Sequence, residues 1–333
     1  MENAKSDREQ CNPGTFLMPS SPPIHATDIF VVVVTYNGAK WIERCAASVV
    51  ESSVKTTLVV VDNNSTDDTL AIVRQAAPEA VILPQSKNLG FGAANNIGIS
   101  YALGNGAEFV HLMNQDAYVK PDAFAKLVEI ANAHPEYGIL SPVHIAANEN
   151  VFEVAFVDYL RRTVDPAFIE DCFFGRLKPV YESDSGIAAH WFIPRGFLMS
   201  VGGFSPVFKH TGEDGNMVHR AIFHGFKVGV CPGVVCIHDR AGRKSTKSGE
   251  RTRLSYNAYT WLLGICCDIN IKPSRRFRLA ARQFVRMLVV CARNKPQTLP
   301  RYVFGFIKAI PKIVRTNRIC RRIGPSFLTA ELQ

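Results

Sequence analysis

The amino-acid sequence predicts an α/β protein built on a doubly wound, mostly parallel sheet. Strand and helix patterns alternate between residues 29 and 131 with short connections, as expected of right-handed crossovers between parallel strands. The strand patterns are continuous apolar runs, which are typical of strands buried on both faces. Three of these strands end in polar residues, and ligands of such sheets bind at the carboxyl ends of the strands.

The regular part of the pattern extends to about residue 131. The helix beginning at Ser65 opens with the spacing of a capping box, since Asp68 follows three residues later. Pro121 stands where the first turn of another helix is expected. The predicted strands are 29–35, 57–61, 80–83 and 109–113, and the predicted helices are 40–52, 65–77, 91–103 and one from residue 121.

The pattern is less regular beyond Ser141. The sequence there predicts a strand over 151–157 and an aromatic excursion over one edge of the site at 158–187. Extended segments at 191–193 and 197–201, a helix at 213–224, strands at 226–230 and 234–237, and helices from residue 251 follow.

Composition and charge narrow the class of protein. Of the 333 residues, 47% are hydrophobic and 20% charged, which excludes a disordered chain and a disulfide-stapled miniprotein. The net charge of +9 combines −8 over residues 1–238 (17 Lys and Arg, 25 Asp and Glu) with +17 over residues 239–333 (21 and 4). The basic tail predicts an anionic partner, either a membrane surface or a nucleic acid.

The start of the chain and its cysteines predict a cytoplasmic location. The polar opening MENAKSDREQ lacks the apolar region of a signal peptide. The nine cysteines form no CxxC pair, which favours free thiols in a reducing compartment. Peripheral contact with the inner face of the cell membrane stays open.

Two common nucleotide-binding motifs are absent. Gly90-Phe-Gly92 begins a GxGxxG match, but Asn95 occupies the position of the third glycine. The GxxxxGK[ST] motif does not occur either. The sequence therefore favours neither a dinucleotide-dependent dehydrogenase nor a P-loop enzyme.

A few polar residues at predicted element ends could carry chemistry. Asp116 follows an apolar strand, where a carboxylate can coordinate a divalent cation that bridges two phosphates; the alternative is that it only shapes the turn. Glu213 and Asp214 begin a helix, which suits a general base as well as ordinary acidic capping. His238 ends a strand, where a structural histidine is equally expected, and the nearby cysteines match no common zinc spacing.

Taken together, these segments resemble the family 2 glycosyltransferases, which have the nucleotide-sugar-binding GT-A fold. The resemblance covers about residues 29–260 and rests on the order and spacing of six modest motifs. They are Val34-Thr-Tyr-Asn37, Val61-Asp-Asn-Asn-Ser-Thr-Asp-Asp-Thr69, Asn88-Leu-Gly-Phe-Gly-Ala-Ala-Asn-Asn-Ile-Gly98, Leu112-Met-Asn-Gln-Asp116, Gly202-Gly-Phe204 and Glu213-Asp214 followed by His238.

The resemblance implies a role for each matched residue. Asp62 matches the carboxylate that accepts from the pyrimidine N3–H, and Asp214 matches the catalytic base, with Glu213 beside it. Trp191 resembles an aromatic residue that packs against the acceptor sugar, although it is equally consistent with a core residue. The other implied nucleotide-binding residues are Thr35, Asn37, Asn64, Gly90 and Asn95, and the implied ligands of Mg²⁺ or Mn²⁺ are Asp116 and His238.

Two positions depart from the family pattern. Asn114 stands at the first acid of the DxD signature, a form that resembles the rhamnosyltransferase-like branch and implies a metal site with fewer carboxylates. Asn216 stands where a further acid usually follows the base. These departures keep a second interpretation open, a non-catalytic module that binds a sugar nucleotide or a glycan.

The resemblance predicts an inverting transfer of a sugar from a UDP- or dTDP-sugar, with rhamnose as the best single candidate. The expected acceptor is a saccharide or lipid-linked glycan of bacterial surface polysaccharide synthesis. The expected domains are a flexible leader at 1–27, a GT-A domain at 28–250 and a basic helical C-terminal extension at 251–333. A nucleic-acid partner is not expected, because no recognition motif occurs and the body is acidic.

The basic extension contains an amphipathic pattern. At 100° per residue, one arc of a helix over 275–293 carries five arginines, and Phe277 and Phe284 lie opposite. The arginines are Arg275, Arg278, Arg282, Arg286 and Arg293. The sequence predicts either contact with an anionic membrane or a helix packed on the body, whose cationic face is solvated or pairs with the acidic body.

Overall fold

The computed structural model describes residues 28–209, 211–240 and 247–328; the predicted leader at 1–27 lies outside them. The described strands are β1 Ile29–Thr35, β2 Thr57–Asp62, β3 Val81–Pro84, β4 Phe109–Asn114, β5 Ala117–Val119, β6 Tyr137–Ile145, β7 Tyr181–Ser183, β8 His190–Pro194 and β9 Lys227–His238. The described helices are α1 Ile42–Val50, α2 Thr69–Ala76, α3 Phe91–Gly104, α4 Ala123–Ala133, α5 Val154–Thr163, α6 Ala167–Phe173, α7 Arg195–Val201, α8 Glu213–Phe223, α9 Lys247–Cys267, α10 Pro273–Asn294 and α11 Leu299–Ile319.

The described strands form one mixed sheet in the order β3-β2-β1-β4-β8-β6-β9-β5, with β7 paired to β9. Strands β3, β2, β1 and β4 are parallel, and β6 is parallel to β9. Strands β8, β5 and β7 run against them. The predicted α/β fold with a mostly parallel central sheet is therefore confirmed, and the antiparallel strands lie in the second half of the chain.

The apolar run of β1 is explained by burial on both faces of the sheet. Val31 and Val33 pack in the core with α1, α2 and α4. Val32 faces the opposite core, which contains α3, α7 and α8. Because successive side chains of a strand point to opposite faces, a strand between two helical layers needs an unbroken apolar sequence.

Two predicted extended segments are wrong. Over 151–157, only Phe152 makes an isolated bridge, and α5 begins at Val154 because Glu153 caps it by accepting from Phe156 N–H. Residues 197–201 belong to α7. Phe197, Leu198 and Val201 are buried on one side of this helix, and their spacing fits a short helix as well as a strand.

The excursion at 158–187 has its own small core. Helices α5 and α6 and strand β7 enclose a cluster that includes Phe156, Phe168 and Tyr181. Asp171 accepts from Arg176 Nε at 2.7 Å and from the Tyr181 hydroxyl at 2.8 Å. These bonds tie α6 to the strand that pairs with β9.

The C-terminal helices are joined to the body at several points. Leu263, Cys267 and Ile313 of α9 and α11 pack with Phe208. Beyond α11 the chain returns to the body, where Gly203 N–H donates to the Ser326 carbonyl at 2.8 Å and Leu328 is buried beside α3 and α7. Within the described ranges, no helix is both long and apolar enough to cross a membrane.

Candidate active site

A polar cavity of about 440 Å³ opens at the carboxyl ends of β1 and β4. Four of the sequence-predicted site residues line it, namely Gly90, Asp116, Glu213 and Asp214. Its wall also includes residues that the sequence analysis did not single out as binding groups, among them Tyr36, Asn63, Asn88, Gln115 and Arg240. The sheet topology explains the location, because parallel strands bring their polar ends to one edge.

The predicted nucleotide residue Asp62 is buried under the loop that follows β2. Its Oδ1 accepts from the Thr35 hydroxyl at 2.9 Å and from the Ser65 hydroxyl at 2.5 Å. Its Oδ2 accepts from Ser65 N–H at 3.0 Å. In this arrangement Asp62 and Thr35 hold the loop between β2 and α2.

Asn37 lies in the loop after β1 and Asn64 in the loop after β2, next to the hydrogen bonds that Asp62 makes. Both have left-handed backbones, with φ of 47° and 69°, a conformation that asparagine tolerates better than most residues. Asn37 Oδ1 accepts from Thr66 N–H at 2.9 Å, and Asn37 N–H donates to the Ser65 hydroxyl at 2.9 Å. Asn37 therefore joins the loops after β1 and β2, and neither asparagine is among the residues that line the cavity.

Gly90 precedes the N-terminus of α3, and its φ of 87° requires glycine or a strained residue. Asn63 fixes this turn, because its Oδ1 accepts from Leu89 N–H at 3.2 Å and its Nδ2 donates to the Gly90 carbonyl at 3.4 Å. Asn95 is buried one turn into α3, and its Nδ2 donates to the Phe91 carbonyl. The amino end of a helix facing a cavity is a favourable place for phosphate.

Asp116 and His238 converge at the ends of neighbouring strands. Both are buried, and Asp116 Oδ1 lies 3.6 Å from His238 Nε2, which is too long for a hydrogen bond. Asn114 Nδ2 lies 3.4 Å from the same imidazole nitrogen. The pairing of β5 with β9, which sets Ala117 opposite His238, holds the three side chains together.

These donors suit a hard divalent cation that substrate phosphates complete. Carboxylate and carboxamide oxygens and an imidazole nitrogen are ligands of Mg²⁺ and Mn²⁺. Among the described residues, no group of three or more His, Cys, Asp and Glu side chains is placed to hold a metal ion. A cation held here would therefore depend on oxygens from phosphate and water, as Mg²⁺ commonly does at nucleotide sites.

Three further buried histidines extend from His238 into the sheet, namely His144, His190 and His111. His190 Nε2–H donates to the Ile237 carbonyl at 3.0 Å, so its Nδ1 is an acceptor and takes a hydrogen bond from His111 Nε2–H at 3.2 Å. Burial lowers the pKa of His111, and it lowers the pKa of His190 to about 3. The neutral His190 thus fixes the backbone immediately before His238.

Glu213 and Asp214 occupy the first turn of α8, after Gly212 in a left-handed conformation. Burial, followed by the charge of Asp214, raises the pKa of Glu213, whose Oε2 has no hydrogen-bond partner among the described residues. Burial also raises the pKa of Asp214, but Ala188 N–H donates to its Oδ2 at 3.2 Å and Arg240 favours its charged form. The pair therefore favours a proton on Glu213 and a charge on Asp214.

Arg240 is the cationic residue of the cavity that sequence reasoning missed. It follows His238 by two residues and lies 3.8 Å from the buried Glu153 carboxylate. Gln115 was also missed; its Oε1 accepts from Tyr36 N–H at 2.9 Å and ties the loop after β1 to the end of β4. Both residues follow the end of a predicted strand, and this position was the signal that could have identified them.

Trp191 does not line the cavity. Its side chain is fully buried and stacks on Phe204 with ring centroids 6.1 Å apart. It lies on the face of β8 that packs with α3 and α7. The structure therefore places this ring in the core, the alternative that the sequence left open.

Comparisons with known proteins agree with this architecture. The family model described as Glycosyl transferase family group 2 matches residues 109–293, more than half of the chain, and the model described as Glycosyl transferase family 2 matches residues 30–167. The chain belongs to the family 2 glycosyltransferases.

Individual relatives are more distant. The Succinoglycan biosynthesis protein ExoO of Rhizobium meliloti (strain 1021) is 29% identical over 46% of this chain and 47% of its own length. The N-acetylglucosaminyl-diphospho-decaprenol L-rhamnosyltransferase of Mycobacterium tuberculosis (strain ATCC 25618 / H37Rv) is 32% identical over 35% of this chain and 41% of its own. The chain thus spans about half the length of the curated relatives it matches, or less.

A solved structure shares the fold. The mannosyltransferase PcManGT from Pyrobaculum calidifontis, in complex with GDP-Man and Mn²⁺, aligns with a TM-score of 0.54 and 21% identity over 85% of this chain and 75% of that one. At this identity the likeness establishes the GT-A fold.

Proposed function

We propose that the chain is an inverting, divalent-metal-dependent transferase that uses a UDP- or dTDP-sugar, with rhamnose as the first candidate. The acceptor proposed is a saccharide or lipid-linked glycan in polysaccharide synthesis. One observation carries the proposal: Asp214 lines the same cavity as Asn114 and Asp116. This arrangement supports a base for an acceptor hydroxyl beside a site for the donor diphosphate. The relative from Mycobacterium tuberculosis, by its name, transfers L-rhamnose to a lipid-linked sugar, which supports the choice of candidates.

Asp214 is the proposed base. Ala188 N–H holds one carboxylate oxygen, and Glu213 takes the shared proton, so Asp214 keeps the charge needed to accept a proton from the acceptor hydroxyl. The resulting oxygen nucleophile attacks the anomeric carbon on the face opposite the departing diphosphate. This direction of attack inverts the anomeric centre, and a positioned base contributes about 10²–10⁴-fold to such a step.

The diphosphate is proposed to lie between the end of β4 and the amino end of α3. Asp116 and His238, with Asn114, would hold Mg²⁺ or Mn²⁺, which when bound stabilises negative charge on phosphate oxygens. Arg240 adds a second positive charge on the cavity wall. The first turn of α3, which begins at Phe91, would supply backbone N–H groups to the same anion.

The nucleoside is proposed to contact the loops after β1 and β2. Thr35, Asn37, Asp62 and Asn64 shape these loops, and the ring of Tyr36 is half exposed beside them. Asn95 is buried within α3, where its Nδ2 donates to the Phe91 carbonyl at the start of the helix. In this role most of the predicted nucleotide residues act by holding the loops in place.

A non-catalytic binding module is the second candidate. It is favoured by Asn114 and Asn216, which replace carboxylates of the family pattern. Calorimetry with UDP and dTDP, with and without Mn²⁺, followed by a transfer assay, separates the two. Metal-dependent binding with transfer and an inverted product supports the enzyme, binding without transfer or donor hydrolysis supports the module, and absence of binding overturns both.

A further inference from the structure

The surface of α10 and α11 is strongly cationic. Residues 269–328 contain 15 Lys and Arg residues and no Asp or Glu. The side chains of Arg275, Arg278, Arg282 and Arg286 are exposed, and within the described part of the chain none of them makes an ion pair. The predicted alternative in which this face pairs with the acidic body therefore does not account for it.

Large apolar side chains are exposed on the same two helices. Phe277 of α10 is 76% exposed, and Phe304 and Val314 of α11 are 59% and 54% exposed. Between the helices runs an apolar groove of about 530 Å³. Its lining includes Phe277, Ala281, Phe284, Ile310, Ile313 and Val314.

Helical spacing shows how charge and apolar surface are arranged. At 100° per residue, the surface of α10 passes from the buried Cys291 through Phe277 and Val285 to the arginine row. The surface of α11 passes from the buried Ile313 through Val314, Ile307 and Phe304 to Lys308 and Arg315. Each helix thus places apolar residues beside the groove and basic residues outside them.

A small hydrophobic cluster lies between the groove and the candidate active site. Ile313 lines the groove and packs in the cluster that contains Phe208. A Cβ added at Gly212 would meet the Phe208 ring at 2.9 Å, and Gly212 lines the active-site cavity beside Glu213. Helix α11 is therefore joined through this cluster to the segment that precedes the proposed base.

We propose that the α10–α11 face docks on an anionic phospholipid bilayer, with the apolar strip at the level of the acyl chains and the basic rows at the head groups. Charge complementarity selects this occupant, because an apolar band flanked by basic residues matches the boundary between acyl chains and anionic head groups. A second copy of the chain would bring two cationic faces together. This inference goes beyond the transfer reaction and does not depend on it.

The experiment is co-sedimentation of the full chain with vesicles of phosphatidylcholine, with and without phosphatidylglycerol, at low and high salt. Wild type should pellet with the anionic vesicles at low salt and be released as salt rises. Each basic residue near an anionic surface strengthens binding about fivefold. The variant with Arg275, Arg278, Arg282 and Arg286 changed to Gln should therefore bind several hundred-fold more weakly.

A control variant removes the same charge elsewhere. Changing Lys55, Arg74, Lys126 and Lys227 to Gln affects four exposed residues outside the helix pair and should leave most of the binding intact. The apolar strip is tested by Phe277→Ser, Ile310→Ser and Val314→Ser together, which should weaken binding at every salt concentration. Circular dichroism verifies that each variant is folded.

Three results would overturn the proposal. The first is equal pelleting of wild type with zwitterionic and anionic vesicles. The second is equal binding by the helix-pair variant and the control variant. The third is salt-independent dimerisation without lipid that the serine substitutions abolish, since it would assign the groove to a second copy. Loss of transfer activity alone bears on the proposed function and leaves this inference unchanged.

Discussion

Replacing Asp214 with Asn separates the proton-accepting role of this side chain from its structural one. The amide keeps an oxygen that can still accept from Ala188 N–H, so the first turn of α8 is retained. If Asp214 is the base, turnover should fall about 10²–10⁴-fold. Donor affinity should change little, because the base acts on the acceptor.

Glu213→Gln is the matched change at the neighbouring carboxylate. It should raise stability and leave most of the turnover intact. Burial raises the pKa of Glu213 above its unfolded value near 4.3. Between the unfolded and the folded pKa of Glu213, the folded state binds more protons than the unfolded state. The free energy of unfolding therefore falls as pH rises through this interval and stays lower above it. The neutral amide avoids this penalty, which we expect to be about 1–3 kcal/mol at pH 8, since each pKa unit corresponds to about 1.4 kcal/mol.

The assays are turnover with donor and acceptor, donor binding by calorimetry, and urea unfolding at pH 5 and pH 8. Glu213→Gln should retain most of the turnover and gain more stability at pH 8 than at pH 5. If Asp214→Asn kept near-full turnover while Glu213→Gln lost it, the base would be Glu213. A stability gain for Glu213→Gln that did not depend on pH would refute the argument from burial.

Three other results are expected. Asp116→Ala and His238→Ala should each remove the Mn²⁺-dependent part of UDP binding, and chelation should mimic both; activity unaffected by exhaustive chelation would contradict the metal role. Arg240→Gln should weaken UDP binding about 10–100-fold, since a charged hydrogen bond is worth about 1.5–3 kcal/mol, and unchanged binding would remove Arg240 from the donor site. Gly98→Ala should cost about 1–3 kcal/mol in urea unfolding, because its Cβ would overlap a β1 valine. Gly104→Ala, on the same helix with no atom within 4 Å of the added Cβ, is its control and should be neutral or stabilising.

The first half of the fold followed from the sequence because its signals are local and long. An unbroken β-branched run such as 29–35 is stable mainly as a strand between two helical layers, and polar residues at strand ends must gather at one edge of a parallel sheet. This reasoning predicted Asp116 at that edge, and the resemblance to the family grouped it with Gly90, Glu213 and Asp214. The strand predictions for the short segments 151–157 and 197–201 were wrong, because a few apolar residues fit the period of a helix as well as that of a strand.

Only the tertiary structure decided which residues near the site face the cavity and which support it. Trp191 lies in the core, and Asp62 is buried and holds the loop after β2 by hydrogen bonds. Neither outcome is visible locally, because burial depends on elements far away in the chain. Arg240 lines the cavity because β5, the strand that follows β4, pairs with the end of β9, and no local sequence pattern records this pairing. Sequence periodicity fixed the amphipathic character of α10, but the exposure of Phe277 depended on how three helices pack, because a side chain is covered only where a neighbour meets it.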